Sequence, residues 1–322
     1  MVRRALFLVG WGLFIYLVVV LGPRRILSML TEIGWEFLII GTIFAVYQLA
    51  RSGALYYCLN GSSVSYRELV WIRVLGETVT FLTSTGPILA EPSKAFLLKK
   101  RGLSIERAFA STLAEYLLYT WTSAVLAMVG LSIFLCCFQL TRLVSSLAWI
   151  SLLGMCGFVL LFVIGVWWRI HIIGAVLSWI ARLPRINVLF QPNLDRVGVM
   201  EELLLDIFHL YPFRFLVILT LELLAQALLL VELYWILRAM DLVIPVIYAF
   251  LVETVSKMLR FAFFFVPGQV GAAEGAYTMV FPILGLPMAA GFTFSFVRRL
   301  RSLAVAGLGL VIVRPLIKRA DP

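Results

Sequence analysis

A chain of 322 residues that is 62% hydrophobic and only 14% charged cannot cover the surface of an ordinary soluble protein. Its net charge of +10 comes from Lys and Arg residues that cluster at the ends of apolar runs, which favours membrane topology over nucleic-acid binding as its cause. The four cysteines show no CxxC spacing and only two histidines are present, so no disulfide framework, metal site or bound cofactor is expected.

The apolar runs predict an all-α fold, a polytopic transmembrane helix bundle that forms a single integral membrane domain over residues 1–322. About six full spans follow from run length and flanking charge. In chain order they lie at about 5–21, 35–59, 108–138, 143–168, 215–237 and 288–313. The first run follows two arginines, as a signal peptide does, but it lacks a small-x-small cleavage site and is predicted to be a retained span.

Two further apolar stretches, at about 69–98 and 243–285, are interrupted by proline and glycine. The breaks are Thr-Ser-Thr-Gly-Pro at 83–87 and Pro-Gly-Gln-Val-Gly at 267–271. Such breaks free backbone groups that lipid cannot satisfy, so they are tolerated only where protein or a water-filled cavity meets them. The sequence therefore predicts two re-entrant helical hairpins, with kinked ordinary spans as the alternative.

Hairpins that each enter and leave on one side would gather most Lys and Arg residues on one face of the membrane. The other face would keep only Arg24, Arg25, Arg142 and Arg238. The positive-inside rule then places both termini in the cytoplasm of a plasma membrane of bacterial or archaeal type. Three spans separate the hairpins, so they are expected to enter from opposite faces. The polar segment at about 171–211 is predicted to be an amphipathic helix on the cytoplasmic surface.

An internal repeat relates about 67–138 to about 243–313. Sliding the chain by 183 positions superposes Glu91 on Glu274 and Glu115 on Arg298, and it also superposes Gly-Leu at 102–103 on Gly-Leu at 285–286. A shifted register aligns Glu-Thr at 77–78 with Glu-Thr at 253–254. Broken helices at corresponding places in oppositely oriented halves mark a transporter site near the bilayer midplane. We therefore predict an inverted repeat around such a site.

Ionisable residues inside the predicted spans each cost about 2.5 kcal/mol or more on insertion scales, so they need partners or a function. Arg73 and Glu77 are four residues apart, as are Glu253 and Lys257. Neutralisation within one helix is the favoured interpretation of both pairs. The alternative is that they line equivalent mouths of a polar cavity.

Arginines form a stripe in the last span, and arginine holds phosphate or carboxylate through paired hydrogen bonds. Glu115 and Arg298 occupy equivalent repeat positions, so we expect them to face each other, as an ion pair or around a charged ligand. Structural pairing alone is the alternative. The predicted substrate-binding residues are Glu91, Lys94, Glu115, Glu274, Arg298 and Arg299. The secondary cavity candidates are Glu77, Tyr119, Glu253, Lys257 and Arg301, and the second-rank polar residues of the fifth span are Glu222, Gln226 and Glu232.

Four motifs in order resemble a flippase-like family that includes the transmembrane region of lysylphosphatidylglycerol synthase. They are Thr-Ser-Thr-Gly-Pro with Ala-Glu-Pro-Ser-Lys at 83–94, Ala-Glu-Tyr at 114–116, Val-Pro-Gly-Gln-Val-Gly-Ala-Ala-Glu at 266–274, and Arg-Arg-Leu at 298–300. The resemblance covers about 67–313. Ala90 stands where the family more often has glycine, and Tyr116 where arginine is common. The resemblance implies movement of a lipid or lipid-linked intermediate.

The leading hypothesis is a flippase or carrier that moves the headgroup of an anionic phospholipid, or of a lipid-linked intermediate of the polyprenyl-phosphate type, through a central polar cavity. One alternative is a membrane-embedded transferase that uses Glu91 or Glu115 as general base. Another is a non-transporting partner of a lipid-biosynthesis complex. The expected partners are a membrane lipid or lipid-linked substrate, a second copy of the chain or a lipid-biosynthesis enzyme, and no nucleic acid.

Overall fold

The computed structural model describes residues 33–59, 64–83, 87–175, 194–209, 212–262 and 280–318, with isolated residues at 19, 24, 31, 61 and 277. Every regular element in these residues is a helix, as the all-α prediction requires. In chain order the helices are α1 (Glu36–Cys58), α2 (Tyr66–Thr83), α3 (Pro87–Lys99), α4 (Ile105–Cys137), α5 (Arg142–Trp167), α6 (Leu194–His209), α7 (Pro212–Arg238), α8 (Val246–Ala262) and α9 (Met288–Lys318).

Four helices, α1, α4, α5 and α7, are long and apolar enough to cross a membrane. Each coincides with a predicted span to within a few residues. Helix α9 covers the predicted span at 288–313, and its 31 residues would extend roughly 46 Å at about 1.5 Å per residue. Because of its arginines, α9 is more polar than the four helices that are apolar enough to cross a membrane. The predicted span at 5–21 lies outside the described residues.

Local sequence explains where α4 and α5 begin. Ser104 precedes α4 and accepts a hydrogen bond from the N–H group of Arg107, and Thr141 precedes α5 and accepts one from Val144. Each is a side-chain cap on otherwise unpaired N–H groups. A tight connection joins α4 and α5, so the two spans run in opposite directions.

Helices α2 and α3 occupy the first broken stretch, and the break itself, at 84–86, lies outside the described residues. Leu69 near the start of α2 and Leu98 at the end of α3 are both fully buried in one apolar cluster. The same cluster contains Leu59, which follows α1, and Ala108 at the start of α4. The outer ends of α2 and α3 therefore lie together, at the end of the bundle where α1 finishes.

Helix α8 and residues 280–287 flank the second break, whose Pro-Gly segment at 267–271 lies outside the described residues. Ala249 near the start of α8 is buried in one cluster with Leu284. This cluster also holds Ile40 from the start of α1 and Leu237 from the end of α7. The outer ends of the second stretch thus lie at the opposite end of the bundle from those of the first.

Helix α6, which falls in the segment predicted to be amphipathic, is docked against the bundle. Leu205 and Phe208 are buried in a cluster with Ile218 of α7. The Glu201 carboxylate accepts hydrogen bonds from the N–H groups of Ile173 and Gly174, at 2.7 and 3.0 Å. These contacts tie α6 to the segment that follows α5.

Two glycines with positive φ turn the chain ahead of α4 and α9. Gly102 has φ +92° and Gly285 has φ +72°, a conformation that glycine adopts without strain. The following residues bond back in the same way, Leu103 to the Leu98 carbonyl and Leu286 to the Phe281 carbonyl. These are positions that the 183-residue offset superposes.

Two glycine–threonine contacts join the helix pairs α4–α8 and α9–α2. A Cβ atom on Gly130 would lie 1.9 Å from Oγ1 of Thr254, and one on Gly309 would lie 1.9 Å from Oγ1 of Thr78. Each pair can approach this closely only because the glycine has no side chain. The two threonines are those that the shifted register aligned.

We expect Gly309→Ala to destabilise the protein by about 1–3 kcal/mol, because the new methyl group must displace Thr78. Thermal unfolding in mild detergent measures the change. Gly157→Ala is the matched control, since a Cβ there meets nothing within 4 Å and alanine favours a helix by up to about 1 kcal/mol. Adding Thr78→Ala should recover part of the loss. An unchanged unfolding temperature for Gly309→Ala would contradict the close contact.

Candidate functional site

Six buried ionisable side chains from five helices form what we term the first charge cluster. Each is at most 8% exposed. Its members are Arg51 of α1, Arg73 of α2, Glu91 and Lys94 of α3, Glu115 of α4 and Glu222 of α7. Three basic and three acidic side chains therefore meet in the interior of the bundle.

Glu115 is the centre of the first charge cluster. Its carboxylate lies 2.6 Å from Nη2 of Arg51, 2.8 Å from Nη1 of Arg73 and 3.4 Å from Nζ of Lys94. Nε of Arg73 donates a further hydrogen bond to Oε1 of Gln48, at 3.0 Å. One fully buried carboxylate thus holds cations from three different helices, and it fixes how α1, α2 and α3 pack against α4.

Lys94 connects the first broken stretch to this centre. Its Nζ lies 2.8 Å from the Glu91 carboxylate as well as 3.4 Å from that of Glu115. Its aliphatic stem crosses Gly76 of α2, where a Cβ atom would lie 2.9 Å from Cδ of Lys94. The glycine therefore provides the passage through which the lysine reaches the cluster.

Glu222 lies at the edge of the first charge cluster with unused hydrogen-bonding capacity. Nε of Arg51 is 3.4 Å from its carboxylate, but no described group donates a hydrogen bond to either oxygen. The side chain is fully buried. Buried carboxylates are strongly favoured to have donors, so this edge can accept a polar group of a ligand.

Five further ionisable residues form what we term the second charge cluster. They are Glu232 of α7, Glu253 and Lys257 of α8, and Arg298 and Arg301 of α9. Nη2 of Arg298 lies 2.7 Å from Glu253 and 3.5 Å from Glu232. Lys257 pairs with Glu253 at 3.1 Å, and Arg301 pairs with Glu232. Arg298 is therefore the centre of this cluster.

The central residues of the two clusters have opposite charges. In the first, arginines on α1 and α2 converge on Glu115 of α4. In the second, glutamates on α7 and α8 converge on Arg298 of α9. The helices that contribute these residues follow each other in the same order in each half of the chain.

Three rings, which we term the aromatic layer, separate the clusters: Phe44 and Tyr47 of α1 and Tyr119 of α4. The Arg301 guanidinium lies 3.8 Å from the Phe44 ring centroid, and that of Arg51 lies 3.5 Å from the Tyr119 centroid. Phe44 and Tyr47 stack at 5.1 Å, and the hydroxyl of Tyr47 donates to that of Tyr119 at 3.4 Å. Desolvated cation–π contacts of this kind are worth about 2 kcal/mol. An arginine from each cluster thus covers the layer from its own side.

Helix α7 sets the spacing of the two clusters. Glu222 and Glu232 are ten residues apart on it, which corresponds to roughly 15 Å along the helix axis. Both lie within a helix of 27 residues that is long enough to cross a membrane. The two clusters therefore lie at different depths of the same membrane-crossing bundle.

The structure brings most of the predicted site residues together, but into two groups. Glu91, Lys94 and Glu115 meet in the first charge cluster. Three secondary candidates, Glu253, Lys257 and Arg301, join Arg298 in the second, and Tyr119 belongs to the aromatic layer. Glu77 lies on α2 and Arg299 on α9, both partly buried. Glu274 lies outside the described residues.

Two predicted ion pairs are not what the structure shows. Glu115 pairs with cations of its own half and Arg298 with glutamates of its own half, instead of with each other. Matching positions in a predicted repeat says nothing about which distant helices pack together, so it does not bring two residues into contact. Arg73 likewise reaches Glu115 on another helix instead of Glu77 on its own. The Glu253–Lys257 pair within α8 is confirmed.

Arg51 was missed by the sequence analysis, and Glu222 and Glu232 were ranked second. The available signal for Arg51 was a lone cation in the middle of the apolar run at 35–59. The two glutamates were set aside because they lie on different faces of one span. The structure explains this, because α7 serves both charge clusters.

The comparisons with known proteins agree with this architecture. Residues 5–309 match a family described as the lysylphosphatidylglycerol synthase TM region. Neither the search of curated proteins nor that of solved structures returned a match. The matched segment contains both charge clusters and the aromatic layer.

Proposed function

Since the chain belongs to the lysylphosphatidylglycerol synthase TM region family, which its motifs already resembled, we propose that it is a flippase or carrier for a lipid headgroup. It is a multi-pass membrane protein with a lipid-related role. The proposed substrate is an anionic phospholipid or a lipid-linked intermediate of the polyprenyl-phosphate type, whose tails stay in the bilayer. The end of the bundle where α1 finishes faces the cytoplasm of a plasma membrane in this proposal.

The observation that carries the proposal is the pair of charge clusters on either side of the aromatic layer, one centred on a carboxylate and the other on a guanidinium. Charged side chains at membrane depth are costly and mark substrate pathways. Nε of Arg298 and Nε of Arg301 are both buried, and no described group accepts a hydrogen bond from either. Phosphate oxygens are the acceptors that arginine binds best in such a site.

Several features support an inverted repeat as the basis of movement. The outer ends of the two broken stretches lie at opposite ends of the bundle, as hairpins entering from opposite faces would require. The glycine–threonine contacts join α4 to α8 and α9 to α2. In each contact, a glycine of one predicted half packs against a threonine of the other. In known transporters, two such halves rock around a site near the midplane.

The clusters suggest how a phosphate group crosses. In the described state their charges pair with one another. An entering phosphate would compete with Glu115 for Arg51 and Arg73 in the first cluster, and with Glu253 for Arg298 in the second. Between the two positions the aromatic layer must open.

Reconstituted protein tests the proposal. Purified protein in liposomes should exchange one class of fluorescent lipid between leaflets, among anionic, zwitterionic and polyprenyl-phosphate probes. Mass spectrometry of the lipids after incubation separates a carrier from a transferase, because only a transferase would produce a new lipid species. Exchange of no class by folded, monodisperse protein, with or without a new species, would overturn the proposal.

Gly76→Ala should slow lipid exchange and lower the free energy of unfolding by about 1–3 kcal/mol, because Lys94 loses a buried charged hydrogen bond. The new Cβ would lie 2.9 Å from Cδ of Lys94, and the flexible lysine can move aside only by leaving Glu115. Loss of one charged hydrogen bond predicts a fall of roughly tenfold or more. Lys94→Gln should reproduce the effect, and Gly157→Ala should not. Wild-type exchange by both altered proteins would show that the position of Lys94 does not matter.

A further inference from the structure

Two carboxylates from different helices meet at the guanidinium of Arg51. Glu115 of α4 lies 2.6 Å from its Nη2, and Glu222 of α7 lies 3.4 Å from its Nε. Both glutamates are fully buried, at 0% exposed. Carboxylates that lie side by side without water repel each other as anions, and such a pair is relieved when one member takes up a proton.

The contacts decide which of the two carboxylates is the anion. Glu115 has cations on three sides, from Arg51, Arg73 and Lys94. Glu222 has only the longer contact to Arg51, and no described group donates a hydrogen bond to either of its oxygens. A buried carboxylate without donors is costly as an anion and far less so as a neutral acid. Glu222 is therefore the member of the pair that takes up the proton.

A cavity of about 250 Å³ brings water within one helical turn of Glu222. It lies where α6 docks on the bundle, and Ile218 on its wall precedes Glu222 by one turn of α7. Its polar lining carries both signs of charge, from Arg107, Asp206 and Arg214. Beyond Glu222, Oε1 of Gln226 is buried and has no described donor. Ordered water satisfies such groups and gives Glu222 a partner for proton exchange.

The ionisable groups that surround Glu222 are mostly the other members of the first charge cluster. Outside the cluster, Cys58 of α1, Tyr119 of α4 and Asp206 of α6 lie on helices packed against α7. Helices α8 and α9 place their paired charges in the second charge cluster, around Glu232. Among the described members other than Glu222, the first charge cluster has three cations and two carboxylates. It is therefore balanced when Glu222 is ionised, and it has one positive charge in excess when Glu222 is protonated.

We propose that Glu222 binds the proton that accompanies each phosphate group into the first charge cluster. With Glu222 protonated, a phosphodiester supplies the missing negative charge, and Nε of Arg51, which no described group accepts from, is the donor nearest to it. When the phosphodiester leaves, Glu222 returns its proton to water and its carboxylate balances the cluster again. The buried charge is the same in both states, so one proton moves with each phosphodiester.

This inference deepens the carrier proposal and rests on it as far as transport is concerned, whereas the coupled binding of a proton and an anion does not. Because the lipid-bound form carries the extra proton, raising the pH should weaken the binding of an anionic lipid. A single coupled proton changes the affinity by at most about tenfold per pH unit.

Calorimetry on the full-length protein in detergent tests the coupling. The probe is dioctanoyl phosphatidylglycerol, whose phosphodiester keeps one negative charge from about pH 5 to 9, and dioctanoylglycerol is the control without phosphate. Titrations in buffers of different ionisation enthalpy give the number of protons taken up per lipid. We expect uptake that approaches one proton for phosphatidylglycerol and none for dioctanoylglycerol, with an affinity for phosphatidylglycerol that falls as the pH rises.

Glu222→Gln keeps the side chain in a neutral form. It should bind phosphatidylglycerol at every pH with the affinity that the wild-type protein shows at low pH, and it should take up no proton. Glu202→Gln is the matched control, because Glu202 is exposed on α6, and it should keep the wild-type pH dependence. Proton uptake by the wild-type protein needs no variant, so a folding defect in Glu222→Gln leaves the test intact.

Three results would each overturn the inference: wild-type affinity that is constant across the pH range, no binding of phosphatidylglycerol at any pH, or a pH dependence that persists in Glu222→Gln. Lipid exchange in liposomes separates this inference from the carrier proposal. If the wild-type protein exchanges lipid at a rate that does not change with pH and takes up no proton, the carrier stands and the proton site is wrong. If binding takes up a proton through Glu222 but no lipid is exchanged, the proton site stands alone.

Discussion

Replacing Glu115 with alanine is expected to lower the free energy of unfolding by about 3–5 kcal/mol. The carboxylate is fully buried and pairs with Arg51, Arg73 and Lys94 at once. Its removal leaves three cations but only two carboxylates among the described members of the cluster. Thermal unfolding and monodispersity in mild detergent measure the loss.

The control is Glu68→Ala. That carboxylate pairs with Arg101 at 3.0 Å and its side chain is 29% exposed, so the expected effect is below about 1 kcal/mol. Glu115→Asp should lose less than Glu115→Ala, because it keeps the charge and only shortens the reach. An unfolding temperature for Glu115→Ala equal to that of the wild-type protein would contradict the conclusion that this carboxylate stabilises the first charge cluster.

Arg298→Gln is expected to slow lipid exchange strongly in a protein that still folds. The change removes the centre of the second charge cluster, but Lys257 still pairs with Glu253 and Arg301 with Glu232. Two cations and two carboxylates remain among the described members, so no buried charge is left unbalanced there. A charged hydrogen bond is worth about 1.5–3 kcal/mol, which predicts a loss of roughly ten to a hundredfold in exchange rate.

Exchange in liposomes and unfolding in detergent should be measured on the same Arg298→Gln preparation. Arg238→Gln is the matched control, because Arg238 is exposed at the end of α7 and stacks on Trp235. It should exchange lipid at the wild-type rate. Normal exchange by folded Arg298→Gln would favour a non-transporting role, in which this arginine serves packing alone.

The membrane-crossing helices could be predicted because each is an apolar run longer than a bilayer requires. The runs at 35–59, 108–138, 143–168 and 215–237 became α1, α4, α5 and α7 with small changes at their ends. Capping residues such as Ser104 and Thr141 set those ends, and run length alone does not locate them. Helix α9 is long enough to cross a membrane, but its arginines make it less apolar than α1, α4, α5 and α7.

The partners within the site could not be predicted, because they depend on how distant helices pack. Glu115 and Arg298 were recognised individually as charges that need a purpose. The predicted repeat made their positions equivalent, and the structure places them in different clusters. Arg51 was not predicted to be a site residue, although it makes the shortest contact to Glu115 among the charged residues of the first cluster.

The most direct test of the carrier account is the rate at which a fluorescent anionic lipid in the inner leaflet becomes accessible to an external quencher. Liposomes with wild-type protein, with Arg298→Gln and without protein are compared at equal lipid composition. The account predicts rapid access with wild-type protein and access near the protein-free rate with Arg298→Gln. Access at the protein-free rate with folded wild-type protein, for anionic phospholipid and polyprenyl phosphate alike, would contradict it.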